Sequence, residues 1–133
     1  MAVEAPDRTV SGWDRWFHLT ARGSTVSREV RGGLVTFFTM AYIVVLNPLI
    51  IGTAKDGTDQ YLGGGSVVQA ITMVTAATAL MAGLLTIAMG AIGRFPVALA
   101  AGLGLNGFVA FTLAPQMTWA DAMGLVVIEG III

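Results

Sequence analysis

The chain has 133 residues, of which 56% are hydrophobic and 11% charged, with a formal net charge of −1 and a mean hydropathy of +0.81. An average soluble domain carries roughly 25% charged residues, so this is membrane composition, and the charge balance gives nucleic acid no footing as a partner. The absence of cysteine excludes a disulfide framework and thiolate metal sites.

Residues 1–10 mix charge, proline and alanine without periodicity and read as a disordered tail, with no apolar signal-peptide core nearby. Ser11 stands three residues before Asp14 as an N-cap pair, and Trp13, Trp16 and Phe17 share one side of a short helical pattern. Residues 11–20 are therefore predicted to form a helix at the inner membrane surface, with the indoles at headgroup level and Arg15 toward lipid phosphate. His18, the only histidine, lies outside any apolar run and reads as a solvated side chain rather than a proton relay.

Residues 32–52 are uncharged, and about 20 such residues cross a bilayer core. On this first span Thr36, Thr39, Ile43 and Asn47 share a face that should turn toward other helices. The threonines either contact a solute or bond to their own helix carbonyls. Asn47 and Pro48 mark the outer end or a kink. Residues 53–66, with Asp56-Gly57 and three consecutive glycines, form a loop. The second span covers 67–92, and its stripe of Ala76, Ala79, Gly83, Thr86 and Gly90 reads as a close helix-packing face.

Residues 95–115 are apolar but carry Pro96, Gly102, Gly104, Asn106 and Gly107. Glycine costs about 1 kcal/mol against alanine inside a helix, and an amide in hydrocarbon needs a partner. The third span is therefore predicted to break between about Ala101 and Asn106, with a half-helix running from there to about Thr112 and its free N–H groups facing a solute. Asn106 is the foremost candidate, because its amide both donates and accepts and suits the edge of a planar heterocycle. The competing reading is an interhelical hydrogen bond that only holds the break. Phe108 and Phe111 either stack on a ring or pack. Gly102, Gly104 and Gly107 also spell GxGxxG, but no βαβ unit surrounds them and no acidic residue follows about 20 positions on, so a dinucleotide site is rejected.

A turn at 114–118 leads to an apolar run over 119–133, shorter than a full span, so the chain is expected to be the front part of a longer transporter. Glu129 falls near the middle of that run, either as a proton carrier or as a structural acid. Asp121, near its outer end, receives no role. Arg8, Arg15, Arg22, Arg28 and Arg31 flank the first span on one side, against Lys55 alone in the first outer loop, which puts the N-terminus in the cytoplasm. The organisation read from the sequence is a cytoplasmic tail with an interfacial helix over 1–31 and a membrane domain over 32–133, with spans at about 32–52, 67–92, 97–113 and 119–133.

The segments TFFTMAYIVVLNP (36–48) and AAGLGLNGF (100–108), with GSTV at 23–26 and Arg28-Glu29 before them, resemble the AzgA-like purine permeases of the xanthine/uracil permease superfamily. The resemblance covers residues 22–133. It implies an all-α polytopic membrane protein, not an enzyme: the first four spans of a 7+7 inverted-repeat transporter, whose third span is a short extended segment plus a half-helix. By resemblance Asn106 takes the family's purine-contacting role, with Gly104, Leu105, Gly107 and Phe108 beside it, and Ala41 and Tyr42 border the site. The family's acidic substrate and proton residues lie on later spans, and Glu129 matches none of them. Where the family has a proline in the glycine motif this chain has Ala101.

The expected function is uptake of hypoxanthine, adenine or guanine by proton symport in the plasma membrane. Sodium is the other coupling ion, and no bound cofactor or metal is involved. The expected partners are the purine, the bilayer, the remaining spans and a second copy in a homodimer. The rival readings are a same-fold carrier for uracil, xanthine or an anion, and a non-transporting membrane module.

Overall fold

The computed structural model describes residues 12–19, 21–95 and 97–133. The expected tail over 1–10, the Ser11 cap, Thr20, the Trp13 side chain and Pro96 lie outside the described residues. Those described are mostly helical, and among them the only β-pairing is an isolated antiparallel bridge between Lys55 and Tyr61. They fall into two units, Met1–Val35 and Thr36–Ile133.

In the first unit α1 (Gly12–Phe17) is shorter than the predicted 11–20 helix. It ends where His18 enters the left-handed region at φ 54, a conformation that does not propagate a right-handed helix. The Thr25 hydroxyl then accepts the Arg28 N–H at 3.4 Å and opens α2 (Val26–Met40). This helix starts ahead of the predicted span because its charged first turn is stabilised locally. Glu29 favours the positive helix start, and its carboxylate accepts the Ser24 hydroxyl at 2.5 Å.

In the second unit the helix pauses at Ala41 and Tyr42 before α3 (Ile43–Thr53). The N–H groups of Val44 and Val45 bond three residues back, to Ala41 O at 3.2 Å and Tyr42 O at 3.1 Å. Pro48 does not end the span; it is fully buried within α3. The apolar helical stretch Val26–Thr53 and the next, Val67–Gly93, each contain an 18-residue segment of mean hydropathy 2.2 and 1.9 and are long enough to cross a membrane. Only 22% and 17% of their apolar windows are buried within the chain, unlike the mostly buried core helix of a soluble protein, so most of this surface needs an apolar surrounding.

The second stretch opens with α4 (Val67–Ala88), capped by the Ser66 hydroxyl accepting the Gln69 N–H at 3.3 Å, and closes in a π-turn, Met89–Gly93. Its buried residues are Ala70, Val74 and Thr78, at a spacing of four. The small-residue stripe behaves differently: Ala76 and Ala79 are exposed, and Gly83 and Gly90 face open space among the described residues. Such a stripe permits close approach only where a second helix arrives, and here just Thr86 meets a neighbour.

That neighbour is the third apolar segment. Beyond Arg94, residues 95 and 97–102 carry no helix. Gly102 is extended at φ −76, ψ 103 and N-caps α5 (Leu103–Phe108), which runs on through a π-turn, Val109–Leu113, and a 3-10 turn, Ala114–Gln116. The extended backbone still has peptide groups to satisfy. The Thr86 hydroxyl accepts the Leu99 N–H at 3.1 Å and lies 3.2 Å from the Leu99 carbonyl, to which it donates. One side chain thus does for Leu99 what a paired strand does in a sheet. Thr86→Val is expected to lower the thermal midpoint of the full-length protein in detergent, since each buried polar group left unsatisfied costs about 1–3 kcal/mol, and Thr86→Ser should restore it.

The last helix, α6 (Trp119–Ile132), is capped by Thr118, whose hydroxyl accepts the Asp121 N–H at 3.2 Å and donates to the Asp121 carboxylate at 2.7 Å. Asp121, unassigned in the sequence, is part of that cap. Trp119 and Ala122 join Ile51, Ala54, Val74, Val109, Ala110 and Ala114 in the core.

The loop between α3 and α4 is fastened to the start of α6. Asp56 Oδ1 accepts from the Thr58 hydroxyl and N–H and from the Gln60 N–H, at 2.7, 2.9 and 3.1 Å. Its Oδ2 accepts the Trp119 N–H at 3.1 Å, and the Trp119 indole donates to Gln60 O at 3.1 Å. The Thr58 hydroxyl foremost, with the Gln60, Trp119 and Thr58 N–H groups behind it, outweighs partial desolvation and holds the Asp56 carboxyl at about 2, below its usual 3.8. Its contribution is present above the unfolded value and is lost as pH falls through about 2. Amide exchange at Thr58, Gln60 and Trp119 should therefore stay protected through pH 4 and accelerate toward pH 2, and Asp56→Asn should remove that acid step.

Candidate functional site

The first candidate, Asn106, sits one turn inside α5, where its N–H makes the helix-opening bond to Gly102 O at 3.0 Å. Because α5 packs on α3, the Asn106 side chain reaches Asn47 and donates through Nδ2 to Asn47 Oδ1 at 2.5 Å. Asn47 in turn donates through its Nδ2 to the Thr78 hydroxyl of α4 at 2.8 Å. Asn47 is 4% exposed and Thr78 8%, so this chain of polar contacts lies inside an otherwise apolar junction of three elements. An unpaired amide there would cost several kcal/mol, which explains why these polar groups occur together.

The interhelical bond expected as the competing reading of Asn106 is therefore present, and it engages only part of the amide. No other side-chain partner of Asn106 occurs among the described residues. None of their fully covered side-chain polar atoms lacks a hydrogen-bond partner. The half-buried Asn106 must then keep its Oδ1 open to the surroundings.

The other candidates group unevenly around it. Gly104 and Gly107 lie on the same short helix with open space where a Cβ would stand. Leu105 and Phe108 are exposed, as is Phe111. Phe108 lies two residues past Asn106, about 200° further around an ideal helix. Ala41 and Tyr42 occupy the pause between α2 and α3, about one and a half turns before Asn47, with Ala41 half-buried and Tyr42 exposed. On the first-span face, Thr39 donates to Thr36 O at 2.9 Å, the local bond that rivalled solute contact, while Ile43 and Asn47 are buried.

Glu129 is half-buried on α6, seven residues beyond Ala122 and so on the face that also carries Trp119 and Val126 toward the core. No group of three or more His, Asp or Glu side chains among the described residues is placed to hold a metal ion.

Thr78 was not singled out in the sequence, and Asn47 only as part of a polar face and, with Pro48, as an end or kink of the span. Their signal is the register: Thr78 continues the Ala70 and Val74 row of α4, so a hydroxyl falls where that helix meets α3.

An apolar helical chain whose spans present most of their surface outward, with an interrupted segment beside a buried polar network, is a membrane protein. Over most of its length the chain is homologous to purine permeases of the xanthine/uracil permease family, which are transporters and not enzymes. It is 40% identical over 112 residues to the adenine permease AdeQ of Escherichia coli, covering 83% of this chain and 22% of the relative. It is 33% identical over 120 residues to the guanine/hypoxanthine permease PbuO of Bacillus subtilis, covering 87% and 25%. With the guanine/hypoxanthine permease GhxP of Escherichia coli O157:H7 it shares 35% identity over 127 residues, covering 94% and 25%. The chain thus spans about a quarter of the length of these curated relatives. No family model and no solved structure matches it.

Proposed function

We infer that the full-length protein is a secondary active transporter that takes up purine nucleobases, with hypoxanthine, adenine and guanine as substrates, by proton symport. The carrying observation is Asn106: an amide with an open carbonyl oxygen, held directly after non-helical backbone, in a chain similar to proteins named adenine and guanine/hypoxanthine permeases. A planar base carries donors and acceptors in its ring plane, and a carboxamide is complementary to such an edge. In this reading Gly104, Leu105 and Gly107 shape the approach to Asn106, Ala41 and Tyr42 border it, and Phe108 offers a ring from the far side of α5.

The chain supplies the first four spans of a 7+7 inverted repeat in the plasma membrane. The N-terminal arginines hold the N-terminus in the cytoplasm. The remaining spans complete the substrate site, and two copies form a homodimer. Glu129, on the inward face of α6, is assigned to proton linkage. Coupling requires that protonation favour the loaded carrier over the empty one, since a proton that binds both equally drives nothing.

Initial-rate uptake of radiolabelled hypoxanthine by cells expressing the full-length protein tests this. The expected result is saturable uptake that adenine and guanine compete, that uracil does not, and that a protonophore collapses. Failure to accumulate any purine, or competition led by uracil, overturns the reading.

A further inference from the structure

A carboxamide has one accepting end and one donating end, so fixing the partner of one end fixes what the other presents. Asn47 is buried between Thr78 and Asn106, where water offers no substitute. Two registers satisfy such a row. In one, Asn47 donates to the Thr78 hydroxyl and accepts from Asn106, which leaves the Asn106 oxygen outward. In the other, the Thr78 hydroxyl donates to Asn47 and Asn47 donates to Asn106, which leaves the Asn106 NH2 outward. The structure has the first register, and the Asn106 Oδ1 has no hydrogen-bond partner among the described residues.

The geometry points to Asn47 and Thr78 as positioning residues that orient the Asn106 amide so that an acceptor faces the solute and a ring N–H of the nucleobase is what it reads. The inference rests on the transport reading above and adds the polarity of recognition together with the two residues that set it. Thr72 and Thr75, on the same helix, spend their hydroxyls on the carbonyls of Val68 and Ile71, both at 2.8 Å. Thr78 instead accepts a hydrogen bond from the Asn47 amide across the helix junction. Its hydroxyl is set apart by its partner and not by its type.

In the full-length protein, Thr78→Val keeps the side-chain shape and removes the acceptor of the Asn47 amide. The hypoxanthine KM should rise about tenfold, with membrane level and maximal rate within about twofold of the parent. Thr78→Ser should bring KM back.

As a readout that simple loss of packing would not move, hypoxanthines methylated singly at each ring nitrogen are used as competitors. One of them should bind at least about tenfold worse than the others to the parent, and that discrimination should shrink in Thr78→Val. An unchanged KM and unchanged competitor ranking in Thr78→Val overturn the inference, as does equal competition by all the methylated bases in the parent. If the parent itself takes up no purine, the transport reading fails instead, so the two failures are distinct.

Discussion

Asn106→Ala is expected to reduce hypoxanthine uptake by the full-length protein to background while leaving its amount in the membrane unchanged. Asn47 keeps its bond to Thr78 but its Oδ1 loses its donor, a cost of about 1–3 kcal/mol that lowers the thermal midpoint without preventing insertion. The cost to transport is large because a polar group of the base then enters an apolar junction with nothing to meet it. Sites that pair a buried substrate group discriminate by factors of about 10⁴ when that pairing is lost. Uptake measured alongside quantitation of tagged protein separates the two effects. Normal uptake by this variant would remove Asn106 from the substrate site, whatever its part in the fold.

Gly52→Val should be the most damaging single change to the packing of α3 on α4. A Cβ at that position would lie 2.8 Å from Ile71 Cγ1 and 2.9 Å from the Ile71 Cα and N. The Cγ1 is able to swing aside; the backbone of α4 is not, so the two helices must separate. Overpacking a close contact typically costs about 1–3 kcal/mol, and a pair of helix backbones gives less readily than a side chain. Separation would also stretch the 2.8 Å bond between Asn47 and Thr78 in the same junction. A lower thermal midpoint in detergent and a parallel loss of uptake are the expected results. Gly52→Ala should show the same trend more weakly, and a midpoint unchanged in both variants would mean that α3 and α4 do not approach this closely.

The interruption of the third segment was legible because its causes are local, although its non-helical part lies at 97–102, ahead of the expected 101–106, and residues 103–106 are already helical. Proline and glycine withdraw helix stability residue by residue, and Gly102 stands at the changeover from extended to helical backbone. The Ser66 cap went unread although its cause is equally local, a hydroxyl one residue before α4. What the interruption leans on was not legible. Thr86 reads as one more small residue in a packing stripe, and nothing in its neighbourhood says that its hydroxyl meets Leu99, 13 residues on. The amide network is harder still, with its partners 31 and 59 residues apart. A threonine inside an apolar helix by default bonds to its own helix, as Thr72 and Thr75 do. The early start of α2 at Val26 follows from capping by Thr25, which a hydropathy window passes over.

The fastening of Asp56 to Trp119 spans 63 residues of chain. At roughly 5–20 residues per second on a ribosome, the loop after the first hydrophobic segment waits on the order of 3–12 s before its partner has been synthesised. Until then Gln60 lacks the indole that later donates to its carbonyl. The order of translation therefore leaves the first pair of helices without its clasp while the third segment is being made.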